Sequence, residues 1–277
     1  MNTSKQLNDQ IKNIAKRTGV NAQILQKRYF MECFLERLSS SQYNRRFIIK
    51  GGMLIAALVG YSARSTMDID ITIKNLPLQK ETIEAVIREI AAVDLADNVL
   101  FSFTKTENIR EESEYDCFRV TLDVAFDKIR ESIKIDITTG DVITPGEVRF
   151  GFCTMLEKKT IPLYSYNLET VLAEKMETIL ARGILNTRMR DYYDCCILEK
   201  IYAQSIDKTV FRAALRATSQ KRDSAVIFTE LSKILDKIKV SKVLLGLWKR
   251  YTGNYQYAQG ITFEEVIASV ERLATFI

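Results

Sequence analysis

The chain of 277 residues contains no histidine, and that absence removes more chemistry than any other feature of its composition. Without imidazole there is no Ser-His-Asp triad, no Cys-His dyad and no histidine ligand for a metal. Any catalysis must rest on carboxylates, lysine, arginine or a metal held by oxygen. Cysteine is sparse and odd in number: Cys33, Cys117, Cys153, Cys195 and Cys196 form no Cys-x-x-Cys pair. Neither a disulfide framework nor a cysteine zinc site is expected, and the five read as reduced core residues. No apolar run is long enough to span a bilayer, and the polar stretch from Met1 to Gln10 lacks the apolar run expected of a signal peptide. A cytoplasmic protein without membrane association is the expectation. An excess of one charge is also missing. Forty basic against 35 acidic residues give a formal +5, which permits a polyanionic partner without demanding one.

What is present concentrates between Phe47 and Lys74. Phe47 to Ile49 is a short apolar run of strand type, and it breaks at Gly51-Gly52 into Met53 to Val59, which reads as a buried helix. Glycines at a helix N-terminus leave backbone N–H groups open to an anionic phosphate, with no Cβ in the way. A strand over Met67 to Ile73 would then put Asp68 and Asp70 on one face and Ile69, Ile71 and Ile73 on the other. Neighbouring carboxylates repel unless a cation lies between them, so the spacing suits a hard metal, Mg²⁺ or Mn²⁺. Either feature alone has an ordinary explanation, a tight connection or a wet strand face. Together they are far more specific.

Before this stretch, Thr3 to Lys16 and Asn21 to Leu38 read as helices capped by Ser4 and Asn21, with Leu25, Tyr29, Cys33 and Leu38 as an apolar stripe. After it comes a helix over Leu78 to Val93, then strands at Val99 to Thr106, Tyr115 to Phe126 and Ile129 to Thr138. In the last of these Asp136 alternates with isoleucine and is a candidate third carboxylate; Asp123 on the neighbouring strand competes with it. Composition shifts after Pro145-Gly146. At least one more strand precedes Tyr166, and everything beyond Asn167 is helical in period. The expected division is a sheet-bearing domain over residues 1–160 and a helical one over 161–277.

In the second half, Asn167 to Arg182 reads as a helix capped by Asn167 and closed by Gly183, with Glu174 and Lys175 on its polar side. Thr187 would cap the next, in which Arg190 stands four residues before Asp194 and Asp191 one turn away; on spacing alone this is a solvated salt bridge. Further helices are expected at Lys208 to Ser219, Ser224 to Ile238, Lys242 to Tyr251 and Thr262 to Phe276, the last with a Thr262–Glu265 capping box. Lysines and arginines from Lys221 to Arg250, interleaved with Trp248, Tyr251, Tyr255 and Tyr257, would offer RNA a basic surface with aromatic planes for stacking.

The order glycine pair, helix, Arg-x-Thr-x-Asp-Ile-Asp resembles the first motif of the DNA polymerase β-like nucleotidyltransferases. In detail it is most similar to the AbiEii/AbiGii toxin family of abortive-infection toxin–antitoxin pairs. The similarity runs from about Phe47 to Leu198 and includes Glu174-Lys175 and the run Arg188-Met-Arg-Asp-Tyr-Tyr-Asp194. It implies an α+β fold: a polymerase β-like core, a mixed twisted sheet with flanking helices, followed by an α-helical C-terminal domain. It also implies a nucleotidyltransferase that uses a nucleoside triphosphate, with relatives acting on tRNA 3′ ends, held in check by a cognate winged-helix antitoxin encoded beside it. On this resemblance Asp68, Asp70 and Asp136 would hold Mg²⁺ or Mn²⁺. Gly51, Gly52, Arg64, Ser65 and Thr66 would bind the nucleotide with Lys175 and Arg190, and Lys175 would neutralise phosphate. Asp191 or Asp194 would orient base, ribose or Arg190. The same core also allows transfer to a protein hydroxyl, or nucleotide binding without turnover.

Overall fold

A computed structural model describes residues 3–109 and 117–277. Two compact units divide the chain: residues 1–141 with 148–165, and residues 142–147 with 166–277. The strand expected to start at Tyr115 is described from Phe118 onward; Tyr115 and Asp116 lie outside the described residues.

The first unit is built on one sheet. Its elements are α1 (Ser4–Thr18), α2 (Ala22–Ser40), β1 (Phe47–Lys50), α3 (Gly51–Val59), β2 (Ile69–Ile73) and α4 (Lys80–Ala91). Five strands follow: β3 (Leu100–Asn108), β4 (Phe118–Phe126), β5 (Ile129–Thr139), β6 (Val148–Cys153) and β7 (Thr160–Ser165). Strand order is β3-β4-β5-β2-β1-β7-β6. The sheet is mixed: β1 runs parallel to β7 and β2 to β5, while the other pairs are antiparallel. One face carries Ile49, Ile71, Ile135, Ile137, Val120 and Leu122, all fully buried, and α2 and α4 supply Phe30, Phe34, Leu35, Ile87 and Ile90 to the same core. Alternation with period two places the opposite set, Lys50, Asp70, Asp136 and Arg119, on the other face.

Details of capping differ from expectation. Thr3, not Ser4, caps α1 by accepting from the Gln6 N–H, and the Ser4 hydroxyl donates instead to Asp127. Four of the cysteines are buried, but Cys153 on the edge strand β6 is exposed.

The second unit is helical: α5 (Leu168–Arg182), α6 (Met189–Tyr202), α7 (Lys208–Lys221), α8 (Leu231–Lys239), α9 (Lys242–Asn254) and α10 (Phe263–Ala274). Asn167 caps α5 through the Thr170 N–H, and Thr262 with Glu265 forms the capping box of α10. Thr187 does not cap α6; the helix begins after Arg188 without a side-chain cap. The single helix expected over Ser224 to Ile238 is two pieces, a 3₁₀ turn at Ala225–Phe228 and then α8. The backbone N–H groups of Thr229 and Glu230 both turn back to the Val226 carbonyl, which ends the first piece. No helix among the described residues is long and apolar enough to cross a membrane.

Candidate active site

The site begins at the end of β1, where the chain turns straight from Lys50 into α3. Gly51 has φ of +57°, a left-handed conformation, and a Cβ there would collide with the Asp70 carboxyl. At Gly52 a Cβ would stand 2.8 Å from Thr66 Oγ1. Both glycines are therefore required by the close approach of the Asp70 and Thr66 side chains to the backbone. The Gly52 N–H donates to Asp70 Oδ2 at 2.8 Å, so one oxygen of Asp70 lies at the helix N-terminus, where the open N–H groups favour negative charge.

Register brings the remaining acid alongside. Asp70 in β2 is paired with Asp136 in parallel β5, so their side chains leave the same face one strand spacing apart, about 4.8 Å. Asp68 sits in the bend just before β2; the strand starts at Ile69 rather than at Met67. Asp123, the alternative third acid, is exposed and four residues along β4 from Arg119, about 13 Å at strand rise, so it is Asp136 that stands beside Asp70.

Across the sheet the row reads Lys50, Asp70, Asp136, Arg119, one residue from each of four adjacent strands. Like charges side by side on neighbouring strands are destabilising, and here a cation flanks the pair at either end. Arg119 holds Asp136 in a two-pronged contact, Nε to Oδ1 at 2.7 Å and an Nη to Oδ2 at 2.6 Å, and the same Nη stands 3.9 Å from Asp68. These hydrogen bonds with Asp136 keep Arg119 firmly protonated, its pKa above the ordinary arginine range. Lys50 pairs with Asp141 at 2.6 Å, just past the end of β5.

Below the elbow lies Arg64, 1% exposed. One of its guanidinium nitrogens donates to the Ser65 carbonyl, and the other would lie 3.6 Å from a Cβ on Gly52. It buttresses the glycine turn from within. Thr66 donates to the Asp68 carbonyl at 3.3 Å and so fixes the bend carrying that acid.

In the helical unit, Lys175 of α5 reaches two acids of α6, Asp191 at 2.6 Å and Asp194 at 3.0 Å. The lysine side chain is 14% exposed and the two aspartates 1% and 0%. The solvated Arg190–Asp194 bridge suggested by spacing does not form, because Asp194 points inward to Lys175 while Arg190 is exposed. Arg188 adds a second cation, 3.0 Å from Asp191. The aromatic planes expected to meet RNA are largely taken up by one another. Trp248 stacks on Tyr251 at 5.5 Å, Tyr193 packs on Tyr257 at 4.9 Å, and Trp248 and Tyr251 are buried. Tyr255 alone of the four is exposed.

A separate open cavity of about 650 Å³ in the sheet unit is lined by Arg45, Arg149, Asn44 and Tyr164 among others, and by none of the acids. Sequence reasoning missed Arg119, Lys50 and Asp141. Arg119 could have been noticed as a charged residue on the polar face of an alternating strand, but nothing local gives its register against Asp136.

Among the described residues, no group of three or more acidic or cysteine side chains is arranged to hold a metal ion. The arginine between Asp136 and Asp68 stands in the way of such a cluster. The donor set nonetheless suits a hard divalent cation: only carboxylate oxygens, at a point where positive charge is already demanded.

The family model described as "Nucleotidyl transferase AbiEii toxin, Type IV TA system" matches residues 33–269. A structure described as "putative nucleotidyltransferase from H. pylori" is similar with a TM-score of 0.49 at 16% identity, over 92% of this chain and 96% of its own. JHP933 from Helicobacter pylori gives a TM-score of 0.48 at 14% identity, over 92% and 94%. No curated protein matches.

Proposed function

The chain belongs to the AbiEii family of nucleotidyl transferase toxins of type IV toxin–antitoxin systems, and from that premise we propose that it transfers a nucleotide from a nucleoside triphosphate to an RNA hydroxyl, at the 3′ end of tRNA, and thereby arrests growth. Membership makes it a nucleotidyltransferase and implies an antitoxin partner. The observation that supports the finer reading is the convergence of Asp70 and Asp136, with Asp68 at the rim, beside a glycine elbow at the N-terminus of α3.

Asp68 and Asp70, joined by Asp136, would hold Mg²⁺ or Mn²⁺. Magnesium is commonly bound through one or two carboxylates together with substrate phosphates, so a preformed cage is unnecessary. Such an ion supplies charge neutralisation at the transferred phosphoryl group and a lowered pKa for the attacking hydroxyl. The chain's own residues do the positioning. The turn at Gly51 and Gly52 offers the triphosphate a backbone without side chains, and Thr66 and Ser65 line its approach. Arg64 keeps that turn in place from below. Lys175, oriented by Asp191 and Asp194, is the candidate for countering phosphate charge, and exposed Arg190 for contacting the ribose or the RNA.

The test is incubation with total tRNA and each α-labelled nucleoside triphosphate in the presence of Mg²⁺. The reading expects label on RNA that is lost with chelator. Label that survives ribonuclease and travels with protein would redirect it to a protein hydroxyl, and no transfer to either acceptor would overturn it.

A further inference from the structure

The guanidinium of Arg119 lies among the carboxylates where the transferase reading expects a divalent cation. Three observations meet there. Arg119 grips both oxygens of Asp136 and stands 3.9 Å from Asp68. The register row gives Asp136 a like-charged neighbour in Asp70 on one side and Arg119 on the other. Lys50, at the other end of the row, pairs with Asp141 at 2.6 Å. Arg119 also has somewhere to go. Its side chain is 28% exposed, so the guanidinium can turn from Asp136 toward solvent.

Resting on the transferase reading above, we infer that Arg119 is a resident counter-ion that competes with the divalent cation for Asp136 and Asp68, and that the guanidinium displaced by the cation turns to the incoming triphosphate. A guanidinium and a divalent cation cannot both sit between the same carboxylates, since each needs their lone pairs and the two repel. A planar fork that fits a carboxylate fits a phosphate equally well. Arg119 thus couples cation entry to nucleotide binding: in the free protein it partners Asp136, and the loaded protein gains a phosphate contact.

The experiment is a titration with Mn²⁺ alone, following the free ion by electron paramagnetic resonance, with no nucleotide and no turnover. Arg119→Gln should bind Mn²⁺ about ten-fold more tightly than the parent, the size of one lost charged contact. Arg119→Lys, which keeps the charge but loses the fork, should fall between them and serves if the glutamine variant does not fold. A second titration, anisotropy of a fluorescent nucleoside triphosphate in Mn²⁺, should show both variants binding nucleotide more weakly. Unchanged or weaker Mn²⁺ binding in the variants overturns the inference. Asp70→Asn separates the two levels. If it binds Mn²⁺ as well as the parent, the transferase reading itself fails; if it loses Mn²⁺ while Arg119→Gln matches the parent, only the role of Arg119 fails.

Discussion

Replacing Lys175 by methionine keeps the length of the side chain and removes the one ammonium that two aspartates share. Asp191 and Asp194 are 1% and 0% exposed, at 2.6 Å and 3.0 Å from that nitrogen. Arg188 at 3.0 Å from Asp191 is half exposed, and so is a weak substitute that touches only one of the two acids. Removing one partner from a buried ionic group costs about 3–5 kcal/mol. With a urea slope of about 2 kcal/mol/M, the unfolding midpoint of the helical unit should drop by about 2 M, followed by far-ultraviolet circular dichroism. In an Asp191→Asn, Asp194→Asn background the same lysine replacement should cost about 1 kcal/mol or less. A loss below about 1 kcal/mol in the parent background at pH 7 would refute the buried-triad reasoning.

Other consequences follow from single contacts. Gly51→Ala must place a Cβ into the Asp70 carboxyl at φ of +57°; it should destabilise the sheet unit by about 2 kcal/mol or more, read as a lower melting midpoint. Arg272 hydrogen-bonds Glu199 and holds its carboxyl below the usual range. The pair's contribution is therefore present above about pH 4.3 and lost on further acidification, so the stability gap between the parent and Glu199→Gln should close between about pH 5 and pH 3. Thr262→Ala removes the side chain that accepts from the Glu265 N–H; a loss of about 1 kcal/mol in urea unfolding is expected, with Thr262→Ser close to the parent.

What could be read from the sequence is what depends on near neighbours in the chain. The glycine elbow and the caps at Asn21, Asn167 and Thr262 each involve residues a few positions apart, and the structure has them; Asp68 and Asp70 do not share a strand, because β2 starts at Ile69 and leaves Asp68 in the bend before it. The choice between Asp136 and Asp123 depended on register, which strand alternation alone does not fix. Both acids lie on the polar face of their strands, and only the pairing of Ile69 with Ile135 brings Asp136 beside Asp70. Arg119 was invisible for the same reason. The Lys175 triad was misread because an i, i+4 pair is the default for a wet helix, and α6 is not one. Tyr192, Tyr193, Cys195, Cys196 and Leu198 bury it on nearly every side, and acids within such a helix need a partner from another element. That all-round apolar pattern was the available signal.

The most direct test of the account compares the parent with Asp70→Asn for transfer of labelled nucleotide to tRNA in Mg²⁺. The amide oxygen of asparagine can still accept from the Gly52 N–H, so the elbow and the melting temperature should be preserved while the charge is lost. The account predicts a folded variant whose transfer rate falls by a thousand-fold or more, an order of magnitude set by the electrostatic share of such reactions, about 4 kcal/mol. A folded Asp70→Asn protein that transfers nucleotide at the parent rate would contradict it.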